Sequence, residues 1–95
     1  DKAFRKGLRL LETLARSEKP RGITDLATEL GFTKSNVHRV LSTLQAEGYV
    51  EQIAANSTYQ LTTKLWELGN DVMRRMDLIQ IARPAMARLA EATGE

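Results

Sequence analysis

The stretch from Ile23 to Gln45, ITDLATELGFTKSNVHRVLSTLQ, decides the fold of this chain. It predicts a short helix over Asp25–Leu30 with Thr24 as its N-cap, and a second helix over Lys34–Glu47. Gly31 separates them, and a glycine just past a helix end favours the left-handed conformation that closes a helix. Two short helices joined by so tight a turn are typical of a helix-turn-helix.

The predicted second helix has an apolar side and a polar side without acids. Apolar residues recur at i, i+3, i+4 and i+7 and therefore share one face. They are Val37, Val40, Leu41 and Leu44. No carboxylate occurs between Gly31 and Ala46, although the chain has 12 acidic residues. Because phosphate repels carboxylates, the polar side predicts a helix that enters the major groove of DNA.

The flanking segments complete a winged helix-turn-helix. A first helix is predicted over Lys2–Arg16. Its expected core-facing residues are Phe4, Leu8, Leu11, Leu14 and Ala15. Alternating residues predict strands at Tyr49–Ile53 and Thr58–Leu61. Asn56, in the turn between them, is able to adopt the left-handed conformation. Three helices and a hairpin predict a mainly α fold with a small β-hairpin.

A long helix is predicted after the hairpin, capped by Thr62 or Thr63 and extending to about Met76. One face of it carries an apolar stripe, which consists of Leu65, Leu68, Gly69, Val72 and Met76. So small a domain has little core left to cover such a stripe, which therefore predicts pairing of two chains through Leu65, Leu68, Val72 and Met76. Packing against a C-terminal domain is the alternative. Tyr59 and Trp66 are expected in the core.

The expected domain organisation has three parts. Residues 1–62 form the winged helix-turn-helix, 63–77 a linker and dimerisation helix, and 78–95 the start of a C-terminal domain. A last helix is predicted from Asp77 to about Thr93, with a kink or a later start at Pro84. An opening Asp1 in place of methionine predicts that the sequence is a piece of a longer protein.

Composition excludes several classes of function. The 95 residues include no cysteine and one histidine, so neither a metal site nor a cofactor is expected. No Gly-rich phosphate loop, nucleophile elbow or paired carboxylate motif is present, so no enzyme is expected. No apolar run reaches membrane-spanning length and no signal peptide opens the chain, which favours the cytoplasm. The net charge of +2 is weak evidence for nucleic acid by itself.

The candidate DNA-binding residues come from the two helices and the hairpin. They are Thr24, Thr33, Lys34, Ser35, Asn36, His38, Arg39, Ser42, Thr43, Asn56, Ser57 and Thr58. A helix N-terminus offers its N–H groups to phosphate, and the segment Gln52–Trp66 around the hairpin also lacks carboxylates. Three of these residues have a simpler alternative role. Arg39 could be a solvated surface charge, and Asn56 and Ser57 could serve only to form the turn. The alternative for the whole chain is a winged-helix module that binds proteins instead of DNA.

The chain resembles the N-terminal domain of IclR-type transcriptional regulators along its whole length. The blocks that carry the resemblance are GLRLLETLA (7–15), KSNVHRVLSTLQAEGYVEQ (34–52), YQLTTKLWELG (59–69) and ARPAMARLAEATGE (82–95). The resemblance implies a dimeric regulator, or a tetramer at full length, that binds a palindromic double-stranded DNA operator, often as a repressor. It also implies control by a small metabolite, commonly an organic or aromatic acid, bound in a C-terminal domain. The expected location is the bacterial or archaeal nucleoid.

Overall fold

The computed structural model describes residues 1–76. Its elements, in chain order, are α1 (Lys2–Arg16), α2 (Ile23–Leu30), α3 (Lys34–Ala46), β1 (Val50–Ile53), β2 (Thr58–Leu61) and α4 (Lys64–Arg75). Three helices followed by an antiparallel hairpin confirm the predicted winged helix-turn-helix. The chain divides into two units, Asp1–Leu65 and Trp66–Glu95. The helix predicted from Asp77, the kink at Pro84 and the segment 78–95 lie outside the described residues.

The core of the unit Asp1–Leu65 joins three helices to the hairpin. Its buried residues are Leu10, Leu14, Leu26, Ala27, Val37, Leu41, Val50 and Tyr59. Val37 and Leu41 are 0% and 1% exposed, which confirms the predicted apolar side of α3. Each such burial contributes about 1.5–3 kcal/mol, so α3 is held firmly against α1 and α2.

The buried side of α1 differs from the predicted one. Leu10 and Leu14 face the core, and of these only Leu14 was expected there. The other expected residues stay wholly or partly exposed: Phe4 (66%), Leu8 (43%), Leu11 and Ala15. The physical reason is that α1 has a wider apolar arc than its neighbours can cover. Contacts with α3 and β2 select the edge of that arc that carries Leu10.

The predicted start of α2 is wrong by two residues. The helix begins at Ile23, and Gly22 is its N-cap without any side-chain hydrogen bond. Thr24 is therefore the second helical residue and not the cap. The backbone of Gly22 is already extended, with φ −94° and ψ 164°, so the helix starts directly after it. Gly31 closes α2 with φ 72°, as predicted.

The hairpin pairs Val50 with Leu61 and Ile53 with Thr58. The left-handed residue in its turn is Ser57, with φ 54°, and not Asn56, the residue that the sequence offered for that conformation. The Asn56 side chain explains the difference, because its Oδ1 accepts hydrogen bonds from the N–H (3.3 Å) and the hydroxyl (2.6 Å) of Thr58. These bonds hold Asn56 as the first residue of an Asx turn, and Ser57 adopts the left-handed conformation that reverses the chain.

At the start of α4, the Thr62 hydroxyl accepts a hydrogen bond from the N–H of Lys64, the first residue of the helix, at 3.2 Å. The large apolar side chains that follow are exposed: Trp66 (70%), Leu68 (41%), Val72 (47%), Met73 (48%) and Met76 (45%). The core position expected for Trp66 is wrong, because no described neighbour covers its ring, whereas Tyr59 is buried as expected. No helix within residues 1–76 has the length and apolarity to cross a membrane.

Candidate nucleic-acid interface

The N-terminus of α3 is accessible and ordered. The Thr33 hydroxyl accepts a hydrogen bond from the Asn36 N–H at 3.1 Å, which caps the helix. Lys34 and Ser35 follow with exposed side chains. Their backbone N–H groups precede the first hydrogen bond of the helix, from the Val37 N–H to the Thr33 carbonyl. This end of α3 therefore presents N–H groups and one lysine to an anion.

The polar side of α3 is open to solvent along its length. Ser35, His38, Arg39, Ser42 and Thr43 are exposed, and Asn36 is half-buried. Arg39 Nη2 donates a hydrogen bond to Asn36 Oδ1 at 3.0 Å. Arg39 forms no ion pair with any carboxylate in the part of the chain that the structure describes. Its charge is therefore free to bind a phosphate or the acceptor edge of a guanine.

The hairpin places three more of the predicted residues at its tip. Asn56 and Ser57 are exposed, and Thr58 is half-buried at the start of β2. The hydrogen bonds between Asn56 and Thr58 order this tip. Glu51 is the carboxylate on β1, and its Oε1 accepts from Gln60 Nε2 at 2.7 Å. The tip is therefore uncharged, and side-chain hydrogen bonds fix its conformation.

Thr24 stands apart from the other candidates, in the first turn of α2. Its side chain is exposed, and its carbonyl accepts a hydrogen bond from the Thr28 hydroxyl at 3.0 Å. All the candidates nevertheless belong to the unit Asp1–Leu65. Within residues 1–76 no cluster of histidine, aspartate and glutamate could hold a metal ion.

Arg21 organises a cluster that the sequence reasoning missed. Its guanidinium donates to both oxygens of Asp25, to Glu29 at 2.6 Å and to Ser17 Oγ at 2.9 Å. The hydrogen bond from Arg21 lowers the pKa of Asp25, and the two carboxylates raise the pKa of Arg21. Both carboxylates of α2 are thereby neutralised close to the helix-turn-helix. The i, i+4 spacing of Arg21 and Asp25 was the signal that could have revealed the cluster.

The backbone of Arg21 also ties the loop after α1 to the hairpin. Its N–H donates to the Tyr59 carbonyl at 2.9 Å, and the Tyr59 N–H donates back to the Arg21 carbonyl at 2.7 Å. These two hydrogen bonds pair Arg21 with Tyr59 along the edge of β2 that does not face β1. They hold the hairpin against the helices, and so hold its tip relative to α3.

Lys64 fixes the other end of α3. Its Nζ donates to the Glu47 carbonyl at 2.5 Å and lies 4.6 Å from the centroid of the Tyr49 ring. A cation at a helix C-terminus is stabilised by the helix dipole. Lys64 therefore anchors the segment that leads from α3 into the hairpin.

A helix-turn-helix with an accessible, acid-free second helix and an ordered wing defines a winged helix-turn-helix DNA-binding domain. Residues 3–54 match the family described as the IclR helix-turn-helix domain. The chain belongs to this family, whose members are transcriptional regulators and not enzymes.

Relatives and solved structures agree with this assignment. The chain is 40% identical to the glycerol operon regulatory protein of Streptomyces griseus over 86 residues, which are 90% of this chain and 34% of that protein. It is 31% identical to the transcriptional repressor IclR of Escherichia coli over 90 residues, 95% of this chain and 33% of that protein. An IclR family regulator from Brucella abortus superposes with a TM-score of 0.77 at 31% identity, over 93% of this chain and 34% of that one. The chain thus spans about a third of the length of these relatives.

Proposed function

We propose that this chain is the DNA-binding part of a transcriptional repressor that binds a palindromic operator as a dimer. The observation that carries the proposal is the exposed, acid-free side of α3 around Arg39, in a chain of the IclR family. The Escherichia coli relative is named as a transcriptional repressor, which supports repression. The Streptomyces griseus relative is named for a glycerol operon, which supports control by a small metabolite.

Each group of candidate residues has a distinct role in this proposal. Ser35, Arg39 and Ser42 face base edges in the major groove, with His38 and Thr43 beside them. Thr33, Lys34 and the N–H groups at the start of α3 hold one phosphate, and Thr24 at the start of α2 holds another. Asn36 orients Arg39. Asn56, Ser57 and Thr58 lie along the sugar–phosphate backbone or an adjacent minor groove.

The dimer forms through the apolar side of α4 in this proposal. Leu65 is half-buried, and Leu68, Val72 and Met76 are exposed at helical spacing. Pairing of two such helices removes apolar surface from water, at about 25 cal/mol per Å². Two-fold pairing places the two copies of α3 about 34 Å apart, one DNA turn, or a multiple of that distance, and this spacing demands a palindromic site.

In this proposal the whole protein keeps the three-part domain organisation that the sequence predicts. Residues 1–62 bind DNA, 63–77 link and dimerise, and 78–95 lead into a C-terminal domain that binds the metabolite. A ligand that changes how two α4 helices cross changes the separation of the two α3 helices, and thus the operator affinity. The protein acts in the cytoplasm, on the nucleoid.

Fluorescence anisotropy with random-sequence duplex at two salt concentrations tests the DNA-binding part. A DNA-binding domain loses affinity steeply as the salt concentration rises. The reason is that binding releases counterions from the DNA phosphates, and a higher salt concentration opposes this release. Selection of bound duplexes from a random pool by the full-length protein then reports the site, its symmetry and the half-site spacing. Absence of salt-dependent duplex binding contradicts the proposal and favours a protein-binding winged helix.

A further inference from the structure

The side chain of Arg21 joins the end of α1 to α2. Its guanidinium donates two hydrogen bonds to the Asp25 carboxylate, one to Glu29 at 2.6 Å and one to Ser17 Oγ at 2.9 Å. Ser17 is the C-cap of α1, and its hydroxyl donates in turn to the Thr13 carbonyl at 2.6 Å. The Arg21 side chain is 18% exposed. Bonds to three partners therefore hold the guanidinium in one position.

The helix that carries the two carboxylates is itself fixed to α3. Leu26 and Ala27 of α2 lie in one buried cluster with Val37 and Leu41 of α3. Because buried side chains are closely packed, α2 keeps a fixed position relative to α3. The guanidinium of Arg21 is thus bound to the part of the fold that positions the exposed, acid-free side of α3.

The backbone of Arg21 holds the hairpin one residue away from its tip. Both of its hydrogen bonds go to Tyr59, at 2.9 Å and 2.7 Å. Tyr59 directly follows Thr58, whose N–H and hydroxyl donate to Asn56 Oδ1 in the turn. A two-stranded hairpin is marginally stable by itself, and its own ladder does not fix the direction in which it points. Arg21 therefore connects the tip to α2 and α3, with its backbone on one side and its side chain on the other.

We propose that Arg21 is the positioning residue of the wing, by which we mean the hairpin β1–β2 with its tip Asn56–Thr58. The ion pairs of Arg21 with α2 set the position of the tip relative to α3, and thereby the contacts of the wing with DNA. The inference rests on the proposed function and gives a role to a residue outside the candidate DNA-binding set. A tip that is free to move loses more conformational entropy on binding. Loss of the Arg21 side chain therefore removes the contribution of the wing and leaves that of α3.

The planar fork of the guanidinium is essential to this role, because it reaches Asp25, Glu29 and Ser17 at the same time. An ammonium group is a compact point charge on a flexible stem and does not reproduce that geometry. Arg21→Lys therefore keeps the charge but not the position, whereas Arg21→Met loses both. Lys19→Met removes one charge from the same loop and is the matched control. The Lys19 side chain is exposed and forms no ion pair within residues 1–76.

Footprinting separates the contacts of the wing from those of α3. The 95-residue chain is bound at saturation to a duplex selected from a random pool. Cleavage by hydroxyl radicals reports protection of the sugar–phosphate backbone, and methylation by dimethyl sulfate reports access to guanine N7 in the major groove. Arg21→Met is expected to lose the backbone protection that flanks the α3 site and to keep the protection in the major groove. A domain that is merely less stable does not show this selective loss.

Affinity for the same duplex gives a second measurement. Arg21→Met should weaken binding about tenfold and Arg21→Lys about threefold, since the wing contacts are lost wholly or in part. Lys19→Met should weaken it at most about twofold at about 0.15 M salt, because salt screens exposed charges. Asn56→Ala combined with Thr58→Ala removes the polar groups of the tip itself. In that background Arg21→Met should cause no further loss, because both changes act through the same contact.

Several results overturn the inference: flanking protection that survives Arg21→Met, a lysine variant that binds like the wild type, or the same loss with and without the tip changes. Equal losses in Arg21→Met and Lys19→Met also overturn it, because they assign the effect to charge alone. Circular dichroism melting sets a temperature at which the variants are folded, and Arg21→Lys carries the test if Arg21→Met does not fold. A wild-type chain without salt-dependent duplex binding contradicts the proposed function itself, whereas normal wild-type binding with any of the results above contradicts only the role of Arg21.

Discussion

Arg39 and Asn36 lie one turn apart on α3, and the Arg39 guanidinium donates to the Asn36 side-chain oxygen at 3.0 Å. The bond holds the arginine on the polar side of the helix before any DNA is bound. Because the amide of Asn36 is neutral, it orders the guanidinium without cancelling its charge. An ordered side chain loses less conformational entropy on binding, so this pair favours affinity.

Arg39→Ala is expected to weaken binding to a selected operator duplex by about 1–3 kcal/mol if the guanidinium reads a base. The loss should then depend on the base pair at one position of the site. A phosphate contact instead predicts an equal loss on every sequence. Anisotropy titrations with the operator and its single-position variants distinguish the two, with Lys19→Ala as the control for total charge. Wild-type affinity of the alanine variant removes Arg39 from the interface.

Leu41→Ala should destabilise the domain by about 2–5 kcal/mol, because it opens a cavity among packed side chains. Leu41 is 1% exposed and lies in the core with Leu10 and Leu26. The loss is large against the roughly 5–15 kcal/mol that stabilises a typical domain, so DNA binding should fail through unfolding. Thermal melting measures the effect, and Gln45→Ala on the exposed side of α3 is the matched control. An unchanged melting temperature contradicts the packing of α3.

Leu68→Glu combined with Val72→Glu should convert the dimer proposed for α4 into a monomer, since two carboxylates then enter an apolar contact. Both side chains are exposed in the chain, at 41% and 47%, so the fold of the unit Asp1–Leu65 should survive. Sedimentation velocity reports the oligomeric state, with operator affinity measured in parallel. Asn70→Glu, on the opposite side of α4, is the control. A double variant that remains dimeric with unchanged operator affinity places the contact elsewhere.

Acid should selectively weaken the Arg21 cluster. The hydrogen bond from Arg21 lowers the pKa of Asp25, so the pair contributes stability that is present above the ordinary carboxyl pKa. That stability is lost as the pH falls through the lowered value. Asp25→Asn should therefore melt below the wild type at about pH 7, and the difference should narrow towards about pH 3. Glu18→Gln, in the loop before Arg21, is the control. A difference that is constant over this range contradicts the role of the Asp25 charge.

Much of the candidate site was predictable from the sequence because it lies on single elements. The faces of α3 follow from helical spacing alone, and the structure buries Val37 and Leu41 while it exposes Arg39. Gly31 takes the left-handed conformation that its position predicted. The sequence offered Asn56 for the left-handed conformation that Ser57 adopts, because both residue types tolerate a turn. Only the hydrogen bonds of the folded tip show which of them reverses the chain.

The sequence by itself determined the helix-turn-helix, the hairpin and the acid-free side of α3, because periodicity and turn residues act within a few residues of each other. Only the tertiary structure decided which edge of α1 is buried, since α1 has more apolar surface than its neighbours can cover. It also decided the partners of Arg21, which join a loop, a helix and a strand edge. Such choices depend on contacts between distant segments, and these contacts exist only once the chain has folded.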